Sequence, residues 1–238
     1  MKNLLLVTLL ALLTSFSTHA QDGGAAQVRP VAAFRAISVG SGIELTLTAG
    51  STQRVEVSAS TSELRERIRT SVENGVLTIR YENPERRGWS NTMRSQRLRA
   101  SVTADQLTAL TAGSGSNVRA SGNVAAAAEF RLDVSSGANV EAADLSTQAL
   151  TVRQSSGSTV RLSGRAPRLD VDLSSGATFS GDKLLAEQCR ADASSGASIE
   201  VAVSKELSAR ASSGASIRYR GQPQVTKVVS SGGSVSGG

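Results

Sequence analysis

The chain has 238 residues, 39% hydrophobic but only 3% aromatic, with 22 Gly, 4 Pro, one Cys, one His and a formal net charge of +6. This length allows one ordinary domain, and its core must be built from Val, Leu, Ile and Ala. The steady return of apolar residues excludes wholesale disorder, the scarcity of proline excludes collagen and proline-rich linkers, and a single cysteine forbids an internal disulfide.

Lys2, an apolar run from Leu4 to Leu13 and Thr18-His19-Ala20 before Gln21 form the pattern of a secretory signal peptide over residues 1–20. A run of about ten apolar residues is well short of the roughly 20 that a spanning helix needs. No cysteine follows it for lipid attachment, and no later stretch is apolar for long enough to cross a membrane. The mature chain is therefore expected in the periplasm, at the outer-membrane surface or outside the cell, without a transmembrane segment. Loss of Lys2 lowers its net charge from +6 to +5, and loss of His19 leaves it without histidine. That excludes a Ser-His-Asp triad, a Cys-His pair and a His-ligated metal. No cofactor and no metal are expected.

Residues 21–33 are small and polar and read as a flexible lead. The region 34–111 reads as a β-rich cap. Ile37 and Val39, then Ile43, Leu45 and Leu47, then Val55 and Val57 alternate as strands, broken at Gly40-Ser41-Gly42 and Ala49-Gly50. Thr61-Ser62 caps a helix of at most two turns over residues 63–69, and Val72 to Ile79 around Asn74-Gly75 is a hairpin with a type I′ turn.

From 112 to 238 one pattern returns: Gly113-Ser114-Gly115, then Ser-Ser-Gly triplets ending at Gly137, Gly157, Gly176, Gly196, Gly214 and Gly232, spaced 22, 20, 19, 20, 18 and 18 residues. That period, with little helical patterning, is one coil of a β-solenoid. Three positions after each glycine stand Val118, Val140, Val160, Phe179, Ile199, Ile217 and Val235, all apolar. Five before it come Leu110, Leu132, Val152, Val171, Ala191, Ala209 and Lys227; seven before it, Leu150, Leu169, Cys189 and Leu207 mark another inward column. Outward columns four before and four after the glycine run Asp133, Arg153, Asp172, Asp192, Arg210 and Arg119, Glu141, Arg161, Ser180, Glu200, Arg218. Stacked about 4.8 Å apart, their charged neighbours alternate in sign, save Asp172 with Asp192. The fold read from these columns is all-β: a right-handed parallel β-helix of about seven coils, with an N-terminal β-rich cap in one domain over 34–238. The final Ser-Ser-Gly-Gly-Ser-Val-Ser-Gly-Gly is a fraying half-coil.

The signal segment, Ser41-Gly42-Ile43-Glu44-Leu45, Val55-Glu56-Val57, Glu73-Asn74-Gly75-Val76-Leu77-Thr78-Ile79 and the tandem coils together resemble the "head GIN domain, putative auto-transporter adhesin" family of exported bacterial proteins, over about residues 34–235. The resemblance implies a parallel β-helix at the cell envelope and offers no family-wide catalytic residues to carry over. This chain departs from it in using Ser-Ser-Gly where Gly-Ser-Gly is common.

Asp170, Asp172 and Asp192 fall on one outward face, and two carboxylates about 5 Å apart are the arrangement of a retaining glycosidase. Arg153, Arg190 and Arg210 are placed to neutralise them, and no aromatic platform for a sugar lies in the repeat columns, so a surface charge ladder is the stronger reading. Ser-Ser-Gly-Ala turns lack the aspartates of calcium-binding repeats. Cys189 replaces leucine in its column and reads as a small buried hydrophobe. Between Glu85 and Asp105, Arg86, Arg87, Arg94, Arg97 and Arg99 surround Trp89 with no acid among them, a candidate grip for an anionic glycan or lipopolysaccharide. Export argues against nucleic acid as the partner. The expected function is an exported, non-catalytic, adhesin-like or scaffolding solenoid; the alternative is a carbohydrate-binding or polysaccharide-cleaving β-helix.

Overall fold

The computed structural model describes residues 25–82, 97–125 and 127–238. The signal segment lies outside these residues. Chain order begins with β1 (Gln27–Val28), β2 (Ala36–Val39), β3 (Glu44–Ala49), β4 (Arg54–Ser58), helix α1 (Ser62–Glu66), β5 (Ile68–Glu73), β6 (Val76–Tyr81) and β7 (Arg99–Ala104). The repeats supply β8 (Ala109–Ala112), β9 (Asn117–Ser121), β10 (Glu129–Val134), β11 (Asn139–Ser146), β12 (Ala149–Gln154), β13 (Thr159–Arg165) and β14 (Arg168–Leu173). Last come β15 (Thr178–Ala193), β16 (Ser198–Ala211), β17 (Ser216–Arg220), β18 (Gln224–Val229) and β19 (Ser234–Gly237).

The expected columns are the observed register. On the side that follows the glycine, Val118, Val140, Val160, Phe179, Ile199, Ile217 and Val235 are successive partners in parallel strands. The first six are buried and Val235 is half-buried. On the preceding side the rows through Leu132, Val152 and Val171 stack in the same way. Each buried Leu, Ile or Val contributes about 1.5–3 kcal/mol, so the inward columns carry the stability and the outward ones decorate it.

Each triplet is a type I′ turn. Ser136 and Gly137 have φ of 53° and 69°, and Ala138 donates its N–H back to the Ser135 carbonyl at 3.1 Å. Ser175, Gly176 and Ala177 repeat the arrangement. The turns also stack: the Gly137 N–H donates to the Ser156 carbonyl of the next coil, and the Gly176 N–H to that of Ser195, both at 3.0 Å. The corner is thus a hydrogen-bonded column. The third side is less regular, with register shifts where β11, β13 and β15 bend.

The seven corners from Gly115 to Gly232 enclose six turns, close to the expected count of about seven coils. An eighth corner comes from the N-terminal region. Ser41 and Gly42 have φ of 59° and 70°, and the Gly42 N–H donates to the Ser114 carbonyl at 2.9 Å. β2 and β3 flank that corner and lie parallel to β8 and β9, with Leu45 beside Val118. What reads in the sequence as a strand break is therefore a coil of the solenoid. β6 and β7 stack on β2 and β3 as one further coil, and the cap proper begins beyond them, where β5 and β4 turn antiparallel onto β6 and β7.

The hairpin at Asn74-Gly75 is present, with φ of 51° and 75°. The helix is shorter than the sequence suggests. Thr61 caps it by accepting from the Leu64 N–H, but Ile68 already belongs to β5 and is buried against the core. Burial of Ile68 outweighs another turn of a short helix. Within the expected flexible lead, Gln27 and Val28 pair antiparallel with Val57 and Glu56. The final repeat forms a complete corner followed by β19, which pairs with β17.

Candidate functional site

Two outward faces and one basic segment carry the side chains singled out by sequence. On the face preceding the corner, Arg153 lies beside Asp172, Asp172 beside Asp192, and Asp192 beside Arg210, while Asp170 lies beside Arg190. The three carboxylates are thus gathered on adjacent coils. Arg190 organises them: its Nε and Nη2 both donate to one oxygen of Asp192, at 2.9 and 2.8 Å. That hydrogen bond, the Asp192 charge and the charges of Asp170 and Asp172 raise the guanidinium pKa above its ordinary value. Asp133 is engaged by Arg131, two residues earlier in its own strand, whose Nε donates to Oδ2 at 2.6 Å and Nη2 to Oδ1 at 3.0 Å. The column partners are adjacent as expected, but these two acids take an arginine from their own strand.

On the face following the corner the pairing does cross coils. Arg218 reaches Glu200 at 3.3 Å, and Arg99 reaches Glu44 at 3.1 Å. On the third side Glu187 accepts from Lys205 at 2.6 Å and from Arg165 at 2.7 Å, which lowers its pKa, Lys205 contributing most. These pairs are exposed, so solvent and salt screen them.

Cys189 lies between Leu169 and Leu207 in an inward column, 5% exposed. Burial, with a smaller contribution from Asp170, pushes its thiol up to about 12. It is a protonated core residue at neutral pH. Among the described residues no group of three or more His, Cys, Asp or Glu is placed to hold a metal ion.

Of the basic candidates, Arg86, Arg87, Trp89 and Arg94 lie outside the described residues. Arg97 is exposed at a φ of 42°, and Arg99 opens β7, where Glu44 holds it. The segment joins β6 to β7, as Gly40 to Gly42 join β2 to β3 in the adjacent coil. Sequence reasoning did not foresee Gln154, which is buried in the core with Ser116, Thr147 and Ser158. Its place in a column otherwise held by Ala112, Val134, Leu173 and Ala193 carries that signal.

Residues 33–223 match the family described as "Putative auto-transporter adhesin, head GIN domain". The chain belongs to this family. A "putative adhesin" of Bacteroides fragilis shares the head GIN fold at a TM-score of 0.74 and 16% identity, over 91% of this chain and 97% of that one. A "putative adhesin" of Parabacteroides merdae aligns over the same shares at 0.66 and 17%. A "putative lipid binding protein" of Parabacteroides distasonis aligns at 0.61 and 13%, again over 91% and 97%. At such identities the likeness is one of fold. Comparison with curated protein sequences finds no match. No helix of the described residues is long and apolar enough to cross a membrane.

Proposed function

We propose that this head GIN protein is exported and acts, without catalysis, as an adhesin-like or scaffolding solenoid at the cell envelope. Its partner is an anionic glycan or lipopolysaccharide, met through the segment carrying Arg86, Arg87, Trp89, Arg94, Arg97 and Arg99. The observation that carries the non-catalytic reading is the mutual engagement of the surface charges. Asp192, the carboxylate a glycosidase would need free beside Asp172, is held by both nitrogens of Arg190. Family membership supports the adhesin-like reading.

The partner is tested by binding of the chain to heparin and to lipopolysaccharide across a salt series. Screening shortens from about 10 Å at 0.1 M to about 3 Å at 1 M, so affinity falls steeply with salt. Replacing Arg86, Arg87 and Arg94 by Ser removes most of the binding at low salt and leaves the melting temperature unchanged. Undiminished binding by the triple variant overturns the assignment of the segment.

A further inference from the structure

The two ends of the solenoid are finished differently. At the first, β4 and β5 cross antiparallel onto β7 and β6, with α1 between them in the chain. At the other, β18 pairs with β16 and β19 with β17, and among the described residues neither has a strand on its far side. Val225 and Val235 are half-buried and Val229 is 46% exposed there, whereas their partners one coil inward, Leu207, Ile217 and Ala211, are fully buried. A bare edge with apolar side chains and open backbone donors and acceptors is a template for another strand. A second copy of this chain carries the same coil outline, so two copies can meet end to end in an isologous contact.

One residue on that coil stands against this. Lys227 occupies the column held below it by Val152, Val171, Ala191 and Ala209, all of them buried. A charge is tolerated in an inward column only where the column opens to water, and Lys227 is exposed. A docked copy would close the mouth and bring two ammonium groups together. No acidic side chain on the last coil answers them: residues 207–238 carry Arg210, Arg218, Arg220 and Lys227 and no Asp or Glu. Pro223, just before β18, removes one backbone donor at the strand's entry. We propose that Lys227 guards the bare end of the solenoid against pairing with a second copy, by placing a charge where every preceding coil places an apolar side chain.

Sedimentation velocity over a concentration series tests this on the purified chain and its Lys227→Val, Lys227→Ala and Lys227→Arg variants, with circular dichroism to establish the fold of each. The parent and Lys227→Arg sediment as monomers at every concentration. Lys227→Val and Lys227→Ala double in mass, and adding Val229→Lys, which returns a charge to an inward column at the mouth, to Lys227→Val restores the monomer. A parent chain that already dimerises overturns the proposal. So do a Lys227→Arg that associates, folded Val and Ala variants that stay monomeric, and association that Val229→Lys does not reverse.

Discussion

Single positions in the inward columns carry unequal costs, and Gln154 shows this most sharply. It is 4% exposed, and its Nε2 donates to the Thr178 carbonyl at 3.1 Å and to Ser158 Oγ at 3.4 Å, but its Oε1 has no partner. A buried acceptor left unpaired costs about 1–3 kcal/mol. Gln154→Leu, matching Leu173 in the next coil, removes both the donor and the orphaned oxygen at similar volume. The expected gain is about 1 kcal/mol, read as a rise in melting temperature of about 2–4 °C. Cys189 gives a pH dependence whose sign follows from its raised pKa. Below the ordinary thiol value of about 8.5 both folded and unfolded chains are protonated there, and the residue's full contribution is present. Above it the unfolded chain ionises while the folded one does not, so stability is lost as pH rises toward about 12. Melting temperatures of the parent and Cys189→Ala should therefore converge through this window. At neutral pH a maleimide should label Cys189 only as fast as the chain opens.

At the scale of the turn, backbone strain and steric exclusion separate two kinds of glycine. A Cβ on Gly176 would meet nothing within 4 Å, so Gly176→Ala costs only the left-handed backbone at φ 70°, about 1–2 kcal/mol. A Cβ on Gly164 would lie 2.1 Å from the Leu145 carbonyl oxygen of the adjacent coil, at a φ of 124°. Gly164→Ala must spread two coils and should cost more, and urea midpoints of the two variants give the order. The corner was legible in sequence because every coil uses the same turn at nearly the same period. The corner at Gly42 obeys the same offsets, with Leu45 three positions after it and Ile37 five before, yet consecutive spacing hides it, since residues 43–112 intervene before the next triplet. The antiparallel partner of β5 was legible through the Asn74-Gly75 hairpin, but that of β4 was not. Alternation marks a strand and its faces, but a non-local partner leaves no local signal. Of the candidate surface, the columns and the neutralisation of the aspartates by Arg190 could be read from spacing. The choice of own-strand over cross-coil partners could not, because the spacing brings both kinds of partner onto the same face.

Across the whole molecule each coil is held by its two neighbours, so stability is close to a sum of coil and interface contributions along one axis. The consequence is that a column does not fix the cost of a substitution; position along the axis does. Ile199 and Val235 occupy the same column, but Ile199 is fully buried between Phe179 and Ile217, whereas Val235 is half-buried on the last coil with Ile217 on one side only. Ile199→Asp places an unpaired carboxylate between two filled coils, a loss of several kcal/mol, large against the 5–15 kcal/mol that holds a typical domain. Val235→Asp turns its carboxylate to water at the open end and frees at most β19. Asp172→Ala, on an outward column, removes an interaction of about 0–1 kcal/mol. Circular dichroism at room temperature should show loss of the β signal for Ile199→Asp alone, with Val235→Asp and Asp172→Ala melting near the parent. If Val235→Asp unfolds the chain as Ile199→Asp does, the last coil is not a weakly held end, and the solenoid is cooperative along its whole length.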